Sequence, residues 1–174
     1  MVEGDEQMVI RPMTLDDIDA VLGIERIAYP SPWTRQGYEK EIKRNELAMY
    51  HVLQAENCKG QVLDGILGYA GHWMMVGEMH ISMIAVHPAW QRNGLGELLL
   101  VHELVQACAK QAFLVTLEVR ETNIPAQELY QKLGFVEVGR RKNYYKDTKE
   151  AAILMTLEPL DEVAIHEHFV VAKN

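Results

Sequence analysis

The sequence predicts a mixed α/β sheet with helices on its faces. Three observations predict it. Seven segments with the length and composition of strands alternate with segments of helical periodicity. One strand, ending Ile84-Ala85-Val86, passes through a proline and a glycine-containing turn directly into a helix. The last two strands follow one another closely enough to close as an antiparallel pair.

Met8 to Arg11 reads as the first strand. Thr14 is a suitable helix N-cap, and Asp16 and Asp17 fall in the first turn, where carboxylates complement the helix dipole. Ile18, Val21, Leu22, Ile24 and Ala28 follow at helical spacing. Pro30 and Pro32 forbid regular helix from Tyr29 to Trp33, so this segment is a loop. Thr34 then caps a second helix reaching about Asn45. Met49 to Ala55, Ile66 to Trp73 and Met79 to Val86 read as three strands, separated by turns at Asn57-Cys58-Lys59-Gly60 and Val76-Gly77. The third helix begins near Gly94 and repeats apolar residues at i, i+3 and i+4, beginning Leu95, Leu98, Leu99. Phe113 to Val119 is a fifth strand. Ile124 to Leu133 is a helix with Pro125 in its first turn and Gly134 beyond its end. Phe135 to Tyr145 and Ala151 to Thr156 are the closing pair.

Composition narrows the function classes. The 174 residues are 48% hydrophobic and 24% charged, with two cysteines and a net charge of −8. A chain of this length can bury a core as one domain, expected over residues 1–160 with a tail at 161–174. The net charge argues against broad nucleic-acid binding, and no apolar run approaches the ~20 residues that cross a membrane. The acidic N-terminus does not read as a signal peptide, and two cysteines, Cys58 and Cys108, suit a reduced cytoplasmic setting. Cys108 falls in the helical pattern as a core residue. His166 and His168 lack a third ligand at a set spacing, so no metal is expected.

The turn Gln91-Arg92-Asn93-Gly94-Leu95-Gly96 carries the strongest chemistry. A helix N-terminus presents backbone N–H groups outside the helical ladder, and the dipole favours an anion there. Gly94 and Gly96 let a ligand approach the backbone, and Arg92 adds a positive charge. No Gly-Lys-Ser/Thr follows, which excludes a Walker A loop, and the third glycine of a dinucleotide fingerprint is missing. An ordinary βα turn with glycines for tight packing shares the local pattern.

Gln91 to Gly96 match the Gln/Arg-x-x-Gly-x-Gly/Ala pattern of the GNAT acyltransferase superfamily in full. Asn123 followed by Ala126-Gln127-Glu128-Leu129-Tyr130-Gln131-Lys132-Leu133-Gly134-Phe135 resembles its second acyl-CoA-binding element. Tyr29-Pro30-Ser31-Pro32-Trp33-Thr34, Leu117-Glu118-Val119-Arg120 and Arg140-Arg141-Lys142-Asn143-Tyr144-Tyr145 are similar to the RimI-type ribosomal-protein alanine N-acetyltransferases. The resemblance covers residues 8 to 157. It implies a mostly antiparallel seven-stranded sheet whose strands four and five splay to admit the pantetheine arm of acetyl-CoA. It implies cofactor contacts from Ile84, Ala85 and Val86, from Arg92, Asn93, Gly94, Leu95, Gly96 and Glu97, and from Asn123. It implies transfer to a protein N-terminal amine, the alanine of a small-subunit ribosomal protein in its most specific form.

Two side chains are candidates for the proton transfers. Glu118 stands near the C-terminal end of an apolar strand, the end that ligand sites in α/β sheets favour. It is the candidate general base, and partial burial is expected to raise its pKa. The competing reading is a strand-end carboxylate paired with Arg120 or Arg140. Tyr130, at a pKa of about 10, can protonate a thiolate whose conjugate acid has a pKa of about 8.5, so it is the candidate general acid; its competing role is helix packing. An α-amine, of pKa about 7.7–8.0, needs less help to lose a proton than a lysine at about 10.4. The acceptor groove is expected from the Tyr29–Trp33 loop and the Arg140–Tyr145 strand, with Tyr144 and Tyr145 on opposite sides. Arg140 and Arg141 could face the cofactor phosphates, the acceptor or acidic neighbours. A small-amine acetyltransferase and a non-catalytic acyl-CoA sensor share these motifs and remain as alternatives.

Overall fold

The computed structural model describes residues 8–55, 65–161, 163 and 165. The Asn57–Gly60 turn, Cys58, the acidic N-terminus, His166 and His168 lie outside these, as does most of the 161–174 tail. The strands are β1 (Met8–Pro12), β2 (Ala48–Ala55), β3 (Ile66–Met75), β4 (Glu78–Val86), β5 (Leu114–Arg120), β6 (Val136–Arg141) and β7 (Ala152–Leu157). The helices are α1 (Ile18–Ala28), α2 (Arg35–Arg44), α3 (Leu95–Ala109) and α4 (Ile124–Lys132). Single 3₁₀ turns precede α1 at Leu15–Asp17 and α3 at Pro88–Trp90. None of the described helices is long and apolar enough to cross a membrane.

The seven strands follow the order β1-β2-β3-β4-β5-β7-β6. The β1–β2, β5–β7 and β6–β7 pairs are antiparallel and β4–β5 is parallel. That parallel register runs from Glu78↔Leu114 to Ile81↔Leu117. The chain divides into two compact units: Met1–His72 with Met83–Leu100, and Trp73–Ser82 with Val101–Asn174. The division in β4 falls one residue beyond the last registered pair, and both β3 and β4 contribute to each unit.

In the first unit, α1 turns Ile18, Val21, Leu22 and Ile24 onto Tyr38, Tyr50, Val52, Ile66 and Tyr69. Thr14 caps the 3₁₀ turn that leads into α1 rather than α1 itself, and its N–H donates to Asp17 Oδ2 at 2.8 Å. Arg11 clamps the same carboxylate with two bonds of 2.7 Å. Thr34 caps α2 by accepting the Gly37 N–H at 3.1 Å. Gly68 lets β4 approach closely: a Cβ there would lie 2.7 Å from the Ala85 carbonyl oxygen and 3.3 Å from Val86 Cα.

In the second unit, β5 alternates strictly. Val115, Leu117 and Val119 are buried, while Thr116, Glu118 and Arg120 share the other face. β7 contributes Ile153, Met155 and Leu157 to the core, and Tyr130, Leu133 and Phe135 are buried with them. A bulge between Glu137 and Gly139 interrupts the β6–β7 ladder.

Two expectations are corrected. The strand expected to reach Tyr145 ends at Arg141, and Tyr144 and Tyr145 lie in the following turn, which opens at Asn143 with φ +52°. Their rings meet edge to face at 5.2 Å instead of pointing to opposite sides of a strand. Cys108 is half-buried rather than a core residue.

Candidate active site

The site residues expected from the sequence fall into two groups, one in each unit. In the first unit, Ile84, Ala85 and Val86 end β4, and the chain turns through Arg92, Asn93 and Gly94 into α3. Arg92 adopts φ +64° and Gly94 φ +78°, so the turn alternates left-handed conformations that only glycine adopts without cost. The Gln91 amide donates to the Val86 carbonyl at 3.1 Å, and the Asn93 amide donates to the Trp90 and Gln91 carbonyls at 3.1 Å each. These bonds tie the turn to the strand. The Leu98 N–H reaches the Gly94 carbonyl at 3.0 Å and opens the helical ladder. The N–H groups of Leu95 and Gly96 precede it in the first turn of α3. Arg92, Asn93 and Gly94 are exposed, and a Cβ at Gly94 would meet nothing within 4 Å. An open turn with one guanidinium and a helix N-terminus fits a phosphate group. Glu97 brings a carboxylate to the same first turn, so any contribution it makes is through its backbone.

In the second unit, Glu118 is the centre of a chain of side chains. Its Oε2 lies 3.1 Å from His80 Nε2, and its Oε1 accepts from Arg141 Nη1 at 2.9 Å. The other ring nitrogen of His80 lies 2.9 Å from Thr116 Oγ1. The Glu118 side chain is 16% exposed and that of Arg141 55%. The His80 contact, with the Arg141 charge behind it, holds the Glu118 carboxyl below its ordinary value and outweighs burial. The expectation that burial raises it is therefore corrected: desolvation acts in that direction, but two donors act against it. The expected partners are corrected too. Arg140 pairs with Glu137 at 2.6 Å, and Arg120 pairs with Asp147 at 2.8 Å and Glu150 at 3.2 Å.

Tyr130 is buried in α4, its ring centroid 5.9 Å from that of Phe135. Asn123 is exposed and caps α4, its Oδ1 accepting the Ala126 N–H at 3.3 Å. The Arg120 guanidinium also lies 3.9 Å from the centre of the Tyr145 ring. Burial pushes the Tyr145 phenol up to about 12 against the lowering effect of that guanidinium.

Sequence reasoning missed His80, and missed that Thr116 and Arg120 share a face with Glu118. Period-two spacing gives the second point. The first requires the parallel register His80↔Thr116, which local sequence does not contain.

The profile described as "Acetyltransferase (GNAT) family" matches residues 18–135. The chain belongs to the GNAT acetyltransferase family, whose acyl donor is acetyl-CoA. The [ribosomal protein bS18]-alanine N-acetyltransferase of Escherichia coli (strain K12) is 34% identical over 151 residues, 85% of this chain and 95% of its own. A Bacillus subtilis (strain 168) relative provisionally given the same name is 38% identical over 147 residues, 84% of this chain and 92% of its own. The crystal structure of the ribosomal-protein-S18-alanine N-acetyltransferase from Escherichia coli superimposes with a TM-score of 0.77 at 30% identity. It covers 89% of this chain and 95% of that one.

Proposed function

We propose that this protein transfers the acetyl group of acetyl-CoA to the N-terminal alanine of ribosomal protein bS18, acting in the cytoplasm. The observation that carries the reading is similarity over 85% of the chain to an enzyme named for that reaction, together with a Glu118 carboxylate held by His80 and Arg141. The family match draws on both units, which supports a single functional domain over residues 1–160, with 161–174 as a tail.

Acetyl-CoA supplies a thioester whose C–S bond breaks as the amide C–N bond forms. The turn from Arg92 to Glu97 holds its phosphates with backbone N–H groups and the Arg92 charge. The β4 backbone from Ile84 to Val86 would hold the pantetheine arm and polarise the thioester carbonyl; Asn123, exposed at the start of α4, is the second unit's candidate for a cofactor contact. About one tenth of an α-amine of pKa near 8 is neutral at pH 7. Glu118 therefore takes up the proton the nitrogen sheds as it acylates, directly or through one water. Its lowered pKa keeps it ready as a carboxylate throughout the neutral range. Tyr130 delivers a proton to the departing thiolate.

The test is acetyl transfer to two peptides of equal length. One begins with free alanine; the other has a blocked N-terminus and an internal lysine. Turnover of the first alone is expected, and Glu118→Gln should lower its kcat by at least about tenfold with acetyl-CoA affinity retained. Turnover of the lysine peptide alone overturns the reading.

A further inference from the structure

We propose that Glu25, a fully buried carboxylate in α1, is a positioning residue that holds the Tyr29–Trp33 loop in the shape that binds the acceptor peptide. The inference rests on the functional reading above, in which that loop forms one wall for the acceptor. All of its parts lie in the first unit.

Glu25 is 0% exposed, and its partners are neutral donors drawn from three other elements. Its Oε1 accepts from the Tyr38 hydroxyl of α2, and from the Tyr69 hydroxyl of β3 at 2.9 Å. Its Oε2 accepts the backbone N–H of Trp33 at 2.5 Å. Burial pushes both phenols well above their ordinary value, so both stay protonated and able to donate. The last of these bonds is the one that matters for the loop. Two prolines, Pro30 and Pro32, remove backbone donors from this short segment, so the Trp33 N–H is one of few anchors it can offer. At the other end of the loop, the Tyr29 hydroxyl donates to the Ile84 carbonyl of β4 at 2.9 Å. One end is therefore tied to the strand assigned to the acyl donor. The other end is tied to a carboxylate that α2 and β3 lock in place. The Trp33 ring then rests against Tyr38, with centroids 5.4 Å apart.

The two oxygens have different requirements. The tyrosine hydroxyls can rotate and accept as well as donate, whereas a backbone N–H can only donate. A glutamine at position 25 can turn its carbonyl to Trp33 and its amide to the two tyrosines. A methionine fills the same space and offers the Trp33 N–H nothing comparable. The conservative variant should therefore rescue what the apolar one loses.

The experiment measures steady-state kinetics with an alanine-initiated peptide, and acetyl-CoA affinity by calorimetry, in Glu25→Met and Glu25→Gln. Glu25→Met is expected to raise the peptide KM about tenfold, the equivalent of one unmade bond to a buried donor. The kcat at saturating peptide and the acetyl-CoA affinity should stay within about threefold. Glu25→Gln should stay within about threefold of wild type in every constant. Should Glu25→Met not fold, Glu25→Asp, which withdraws the carboxylate by one methylene, is expected to show the same KM rise. An unchanged peptide KM in a folded Glu25→Met or Glu25→Asp, or a loss confined to kcat, overturns the inference alone. A wild-type protein that acetylates no N-terminal peptide overturns the functional reading, and the inference with it.

Discussion

His80 Nε2 lies 3.1 Å from Glu118 Oε2, and this contact sets the character of the carboxylate. The parallel register pairs His80 with Thr116, and Glu118 follows two residues later on the same face of β5. Thr116 Oγ1, at 2.9 Å from the other ring nitrogen, can donate its hydroxyl there and leave the Nε2 proton for Glu118. In that arrangement His80 orients the carboxylate and keeps it charged, as the base proposed for Glu118 requires.

Removing the imidazole tests this directly. In His80→Ala the Glu118 pKa should rise toward its ordinary value, read by carboxyl carbon NMR, and the acid limb of kcat/KM should move to higher pH with it. Loss of one bond to a charged group should lower kcat/KM at pH 7 by about tenfold or more. The sign for stability follows from the lowered native pKa. Glu118 stabilises the fold at pH values above its unfolded pKa of about 4.3, and this is lost as pH falls through the lower native value. The stability gap between wild type and Glu118→Gln in urea should therefore hold from pH 7 to about 5 and shrink below about 4. A Glu118 pKa unmoved by His80→Ala would sink the assignment.

Arg92 separates binding from folding. Its φ of +64° costs a non-glycine residue roughly 1 kcal/mol, and its side chain is exposed. Arg92→Gly should leave thermal stability unchanged or slightly higher. The same change should weaken acetyl-CoA several-fold, and more at low salt than at high salt, since an exposed cation on a phosphate is screened. Calorimetric titration at two salt concentrations decides it; unchanged affinity at low salt would remove Arg92 from the phosphate site.

Much of the fold is legible in the sequence because its signals are local. Thr14 and Thr34 announce helix starts, the prolines at 30 and 32 announce the loop, and the alternation in β5 announces which residues are buried. The Gln91–Gly96 turn is legible for the same reason: its glycines and its exposed arginine lie in consecutive residues. The setting of Glu118 is not. Whether burial or a partner controls its pKa depends on His80 and Arg141, separated from it by 38 and 23 positions and brought close only by strand register. Tyr144 and Tyr145 read as strand by their β-propensity, but Tyr145 lies in the turn under the Arg120 guanidinium, a contact local sequence does not contain.

The ties that Arg120 makes to that turn have a measurable worth. Arg120 makes two bonds to Asp147, one to Glu150 and one to the Thr148 hydroxyl, and it covers the Tyr145 ring. Its side chain is 20% exposed, so the network is less screened than a surface pair. Arg120→Met should destabilise the protein by about 1–2 kcal/mol, lowering Tm by roughly 2–8 °C for a chain of this size. The Tyr145 phenol, already near 12, should move further up once the guanidinium that lowers it is gone. Ultraviolet titration of the phenolate reads that shift, and a Tyr145 that titrates earlier in the variant would contradict it.

Tyr130 separates acid catalysis from packing. The side chain is buried against Phe135, so Tyr130→Phe keeps the ring and removes only the hydroxyl. A packing role alone leaves kcat with acetyl-CoA nearly unchanged. An acid role lowers kcat by about 10²-fold or more while acetyl-CoA affinity holds. The leaving group distinguishes this from a general distortion of the site. An alkyl thiolate such as that of coenzyme A, comparable to cysteine at a pKa of about 8.5, gains from protonation as it departs, whereas a far more acidic aryl thiolate leaves an acetyl thioester readily as the anion. The wild-type advantage over Tyr130→Phe should therefore be large with acetyl-CoA and small with the aryl thioester. An equal loss on both donors would mean that the hydroxyl positions the site rather than delivering a proton.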